Sequence, residues 1–264
     1  MNKFSFNKEA YLKRINFTGN IAVNLECLTA LHHAQHHSIP FENFDISTGK
    51  GIHLEPTALV QKMVFHKRGG YCFELNGLLL MALQSFGFEA RALLGRVYLE
   101  GGVTGRGHQI TLVTLAGEKW IVDAGFGSET PSEPIPLVLD TPIKFKNQTV
   151  RLVEEERYGI VLQSKSKNEW NNLYSFDLTH VFQGDIVYGN HYTSTHPQSF
   201  FVFGRVAALP IENGMVTLRN FNFKKVVNGA EEKVELLDDS TYLEVLEQEF
   251  GIVLDASYDD LKPI

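Results

Sequence analysis

The spacing of hydrophobic residues along this 264-residue chain changes character twice. Up to about Phe86 the apolar positions recur at helical intervals. Asn7 or Lys8 opens a short helix through Ile15, Asn20 or Asn24 opens a second through His37, and Pro56 stands at the first position of a third that stops at His66. Leu75, Leu78, Leu79, Ala82, Leu83 and Phe86 then follow the i, i+3, i+4, i+7 rule, and Gly87 supplies the stop. From Phe88 to about Ser194 the pattern predicts short alternating strands, including residues 89–99, 108–123, 149–153 and 158–163, which suit a small barrel or sandwich. Beyond Phe200, residues 201–205 and 215–219 read as strands, and Asn228-Gly229 as the turn of a charged hairpin. A last helix is expected over 241–250, with Thr241-Tyr242-Leu243-Glu244 as a capping box and Gly251 as its end.

Composition narrows the classes. A chain that is 44% hydrophobic can bury a substantial core, as one large unit or as two or three small domains sharing an interface. No long apolar run occurs, and no basic block followed by an apolar one opens the chain, so a cytoplasmic protein is expected. A net charge of −7 argues against a general binder of nucleic acid or of anionic membranes. Two cysteines, Cys27 and Cys72, without a secretion signal read as reduced thiols.

Cys72 is the residue with chemical promise. It follows Gly69-Gly70 and opens the helix ending at Gly87, so it falls in a first turn, where free N–H groups and the helix dipole stabilise a thiolate. A cysteine there can equally be a small buried hydrophobe, so its partners decide. Residues 107–114 alternate as a strand beginning near His108, and Lys119 to Val122 lead to Asp123 and then Ala124-Gly125-Phe126-Gly127. If Ala116-Gly117 is a two-residue turn, Leu115 pairs with Glu118 and Ile110 falls opposite Asp123. His108, Ile110 and Asp123 then share a face, with His108 and Asp123 as diagonal neighbours about 7–8 Å apart at Cβ. A thiol, a base and a carboxylate that orients the base meet the requirements of a Cys–His–Asp triad.

Four histidines, His32, His33, His36 and His37, are a competing signal, since i, i+4 pairs on a helix can chelate metal. The two pairs occupy adjacent faces without an acidic third ligand, so no metal is assigned, and solvated histidines near a helix C-terminus are expected. His196 has no carboxylate nearby to orient it, and is read as part of a turn.

Five segments also carry a resemblance. Arg68-Gly69-Gly70-Tyr71-Cys72, Gly107-His108 and Val122-Asp123-Ala124-Gly125-Phe126-Gly127, with Ile39-Pro40-Phe41-Glu42-Asn43 upstream and Ser194-Thr195-His196-Pro197-Gln198-Ser199-Phe200 downstream, resemble the arylamine N-acetyltransferases from residue 11 to about 203. The resemblance implies an α+β fold with a cysteine-protease/transglutaminase-like core. Its expected parts are an N-terminal helical bundle over 1–87 with the cysteine, a β-barrel over 88–195 with His108 and Asp123, and a C-terminal α/β lid over 196–264.

It further implies ping-pong transfer of an acetyl group from acetyl-CoA, through a Cys72 thioester, to an arylamine, arylhydrazine or N-hydroxyarylamine. Acetyl-CoA would be a co-substrate, with no permanently bound cofactor. Thr104, Gly105, Gly125, Phe126 and Gly127 would lie near CoA or the acyl group. Tyr71, where many members carry Trp, would keep an aromatic wall. Arg68 and Glu42 would brace the catalytic loop, with Asn43 and Asn76 as supporting hydrogen-bond groups. The same triad could instead serve a thiol hydrolase or amidase, or an amide synthase, and a histidine-based metal-binding module would leave Cys72 without a role.

Overall fold

The computed structural model describes residues 4–99 and 102–264, so the first three residues of the 1–87 segment lie outside it. Asparagines start the first two helices. Asn7 Oδ1 accepts from Ala10 N at 3.0 Å ahead of α1 (Lys8–Arg14), and Asn24 Oδ1 accepts from Cys27 N at 2.8 Å ahead of α2 (Leu25–Ser38). A short strand β1 (Phe41–Glu42) and helix α3 (Phe44–Ser47) follow. Pro56 opens α4 (Pro56–Val60), which widens into a π-helical turn over Gln61–Phe65 ending at His66. Helix α5 (Cys72–Phe86) closes at Gly87, whose φ of 97° is a left-handed conformation that favours glycine.

Nine strands form the central layer: β2 (Glu89–Leu99), β3 (Gly102–Val103), β4 (His108–Leu115), β5 (Glu118–Val122), β6 (Ile135–Pro136), β7 (Ile143–Lys144), β8 (Thr149–Glu155), β9 (Gly159–Ser166) and β10 (Glu169–Phe176). They run antiparallel in the order β6-β5-β4-β2-β10-β9-β8-β7, with β3 on β2, and curl into a nearly closed barrel. Helix α6 (Gln183–Thr195) and the single turn α7 (Phe200–Phe203) precede a second sheet of β11 (Val206–Ile211), β12 (Gly214–Arg219), β13 (Asn222–Val227) and β14 (Ala230–Glu235). β1 completes that sheet by pairing with β11, and α8 (Thr241–Phe250) packs on it. Helices α5 and α6 end at Phe86 and Thr195.

The apolar side of α5 joins α1 and α2 to Val113 and Val122 of the barrel wall in one core. A second core fills the barrel around Leu93, Ile110, Leu152 and Leu162. The helix bearing Cys72 is thereby wedged against the strands bearing its partners.

Three sequence expectations give way. Residues 183–195 form α6 where strands were expected, because few of its residues are buried and Tyr188 and Tyr192 face outward, leaving no apolar stripe to read. Residues 201–205 do not form a strand. Asn43 holds Phe201 O and Gly204 O at 2.9 and 2.8 Å and accepts from Val206 N at 2.9 Å, which closes the helical turn and starts β11. Strand β10 falls inside the stretch expected to form strands, and a register shift between Asn172 and Tyr174 breaks its alternation. At α8 the cap is not the expected box, since Asp239 Oδ1 takes Thr241 N at 2.8 Å.

Candidate active site

Cys72 is the first residue of α5, and the chain leading to it is held tightly. Glu42 N donates to Gly70 O at 2.9 Å and Gly70 N to Pro40 O at 3.2 Å. A side chain on Gly69 would start 2.2 Å from Pro40 O, so only glycine permits this approach. Arg68 grips Glu42 through Nε and Nη2 at 3.1 and 2.8 Å and reaches Asp45 at 3.0 Å. Lys62, carried on the π-helical turn, bridges Asp45 and Glu74, each at 2.7 Å. Glu74 Oε2 accepts from Tyr71 N at 3.1 Å, so the cluster ends on the peptide just before the thiol. Burial disfavours charge on Lys62 and Arg68, but the surrounding carboxylates outweigh it and raise both above their ordinary values.

The β4–β5 hairpin folds in the expected register. Ala116 and Gly117 form the turn with φ of 51° and 86°, and pairing runs from Leu115↔Glu118 to Thr111↔Val122. Asp123 follows directly, and its Oδ2 is 2.7 Å from His108 Nε2. Both residues are buried. With Nε2 committed to Asp123, Nδ1 is the nitrogen left over, and Cys72 stands near enough to the ring to add to its basicity. The sulfur also lies 3.6 Å from Gly107 O. Burial alone would lower the basicity of His108. The charge and hydrogen bond of Asp123, with smaller contributions from Cys72, reverse this and push it up to about 10. Burial raises Asp123, yet His108, Asn76 and the Gly125 N–H hold it below the usual carboxylate range. At neutral pH the imidazole is therefore a cation held by the Asp123 carboxylate, with Cys72 nearby.

This group stands at the wall of a cleft of about 2700 Å³ between the barrel, α6 and the β11–β13 face. Thr104, Gly105, Gly125, Phe126 and Gly127 line it with Cys72 and His108, and Phe41, Phe200, Phe201 and Phe203 add aromatic surface. Tyr71 does not line the cleft. It is wholly buried, with its hydroxyl on Asn190 of α6, and packs behind the site against Phe73 and Phe201. Asn76 contacts the acid directly, while Asn43 supports α7 and β11 instead.

Sequence reasoning missed Tyr174, whose ring centroid is 4.8 Å from that of His108 and which sits at the register shift in β10. It also misjudged the histidine cluster. His33 is exposed, but His32 and His36 are buried, and burial pushes His32 down to about 4 and His36 well below its ordinary value. Among the described residues no group of three or more His, Cys, Asp or Glu side chains is arranged to hold a metal, and no helix is long and apolar enough to cross a membrane. Both cysteines are free.

The sequence profile of the N-acetyltransferase family matches residues 24–258, which makes the chain an acetyltransferase by class. It is 39% identical over 250 residues to the arylamine N-acetyltransferase of Escherichia coli K12, covering 93% of this chain and 88% of that one. Among solved structures it superposes on the Salmonella typhimurium arylamine N-acetyltransferase with a TM-score of 0.90 at 35% identity, over 95% of this chain and 94% of that one. The Mycobacterium marinum arylamine N-acetyltransferase in complex with CoA gives 0.87 at 34% identity, over 93% of each chain. The chain belongs to the arylamine N-acetyltransferase family.

Proposed function

We propose that Cys72 is the nucleophile of a ping-pong transfer from acetyl-CoA to an aromatic amine, hydrazine or N-hydroxyarylamine. The observation that carries this reading is the buried His108, bound at 2.7 Å to Asp123 and raised in basicity by Asp123 and the neighbouring Cys72, at the wall of an aromatic cleft. The Cys72 thiolate attacks the thioester carbonyl of acetyl-CoA, the carbon–sulfur bond to CoA breaks, and the departing CoA thiolate takes the His108 proton. The amine then attacks the acetyl-cysteine, His108 accepts its proton, and the Cys72 thiolate leaves. Asp123 keeps the imidazole oriented and stabilises its charged form throughout.

Thr104, Gly105 and the Gly125–Gly127 backbone are the groups suited to contact CoA or the acyl group, and Phe126, Phe200, Phe201 and Phe203 suit a flat acceptor. Cys72 is 4% exposed and meets solvent only through this cleft. CoA acts here as a co-substrate and leaves in each turnover.

Mass spectrometry of the intact protein after mixing with acetyl-CoA tests the reading. One acetyl group on Cys72, discharged by aniline to acetanilide, is expected. An unmodified Cys72, or a Cys72→Ala variant that still acetylates aniline, overturns it.

A further inference from the structure

The β4–β5 ladder ends at Thr111↔Val122, so Asp123 is the first residue beyond it and its main-chain carbonyl is outside the strand pairing. That carbonyl lies 2.8 Å from Nε2 of His32, a fully buried residue in the middle of α2. A carbonyl only accepts, so Nε2 carries the proton. Among the described residues, Nδ1 of the same ring is buried without a partner, and a second proton there would place an unpaired N–H⁺ in the interior. His32 is therefore a neutral, single-tautomer donor. Its titratable surroundings are consistent with this: His33, His36 and His37 of the same helix, with the His36 ring parallel at a centroid distance of 6.1 Å, and Asp123 from the hairpin.

Every acceptor of Asp123 is then accounted for. Oδ2 takes His108, Oδ1 takes Asn76 and Gly125 N, and the carbonyl takes His32. α5 holds the carboxylate and α2 holds the peptide behind it. We propose that His32 is a positioning residue for acetyl transfer, fixing the Asp123 backbone so that its carboxylate meets His108 in one geometry. A neutral donor suits this place. A lysine or arginine would set a second cation beside the His108–Asp123 pair and weaken the hold of Asp123 on the His108 proton.

The inference rests on the proposed acetyl transfer, and its test separates the two. His32→Leu removes the donor, whereas the His32→Gln amide still reaches the carbonyl. With acetyl-CoA and aniline, the leucine variant is expected to lower kcat about 10–100-fold with KM for acetyl-CoA within about twofold, and the glutamine variant to recover most of that loss. By NMR, the His108 titration is expected to move below about 10 in the leucine variant and to return in the glutamine variant. A folded leucine variant with parental kcat and parental His108 titration overturns the proposal, as does a folded glutamine variant no better than leucine. Should the leucine variant not fold, nitrogen NMR of the parent decides. A neutral Nε2–H ring at position 32 near neutral pH supports the role, and an Nδ1-protonated ring refutes it. A parent protein that acetylates no amine sinks the functional reading alone, since the two NMR readouts need no substrate.

Discussion

Asn76 joins Asp123 to the helix that begins with Cys72: its Nδ2 donates to Asp123 Oδ1 at 2.9 Å and to Gln109 O at 2.7 Å, and its Oδ1 accepts from Ala124 N at 2.9 Å. Asn76 lies one turn after Cys72, so the helix that presents the sulfur also sets the acid and touches both strands of the hairpin. Asn76→Ala strips partners from three buried groups. It is expected to cost about 1–3 kcal/mol in urea denaturation and to lower kcat more than it raises KM. Unchanged kcat in a folded variant would show that the asparagine only packs.

Asp123→Asn removes the charge that opposes burial at His108. The imidazolium, retained to about pH 10 in the parent, is expected to lose its proton below the ordinary 6.5, because burial then dominates. Turnover should fall by about 10⁴, as for other triads whose acid becomes an amide. Histidine NMR and the rate of iodoacetamide alkylation of Cys72 read the two effects separately, and both should drop together.

The same pair sets a pH dependence of stability. His108 has a folded value above its unfolded one, so its contribution is complete below about pH 6.5, declines as pH rises, and is gone above about pH 10. Asp123 has a lowered value, so its contribution exists above the usual carboxylate range and is lost in acid. Comparing the parent with His108→Gln by denaturation across pH, the stability gap should be widest near pH 5–6 and shrink toward pH 10. A gap that widens with pH would contradict a charged His108.

The placement of Cys72, His108 and Asp123 was legible because each sits on an element with a strong local signal. Gly69-Gly70 before an apolar helix placed Cys72, and Ala116-Gly117 fixed the register that brings Asp123 toward His108. Residues 183–195 gave no such signal: α6 covers the loop before His108 through Gly189 and Thr193, a contact of small groups without hydrophobic periodicity. The role of His32 was hidden for a related reason. Four histidines on one helix look solvated until the fold shows that 32 and 36 face inward and 33 faces outward. The resemblance implied Tyr71 as an aromatic wall of the site, but at a helix start neighbouring side chains diverge, and it points toward α6.

Arg68 is the main counter-charge of Glu42, which is fully buried and otherwise has Phe44 N at 2.7 Å and Lys62 at 4.0 Å. Arg68→Met leaves that carboxylate underpaired, and a loss of about 3–5 kcal/mol is expected from urea denaturation. Arg68→Lys keeps the charge but forfeits the two-nitrogen grip, so it should fall between the parent and the methionine variant. Equal stability of all three would show that the cluster does not brace the loop before Cys72.

Gly125 marks where the acid-bearing turn presses on the nucleophile's helix. A Cβ at this position would stand 2.9 Å from Asn76 Nδ2, 3.0 Å from Cys72 Cα and 3.3 Å from Leu75 Cβ. The Cα is backbone at the first turn of α5 and cannot swing aside, so the turn itself must shift relative to the sulfur. Gly125→Ala should therefore cost about 1–3 kcal/mol of overpacking and, through a displacement on the order of an ångström between acid, base and thiol, about 10²-fold in kcat. Gly184→Ala in α6 is the matched control, since a Cβ there meets nothing within 4 Å, and it should leave kcat at the parental level. If the two alanines behave alike, the close approach at Gly125 does not govern the geometry of the triad.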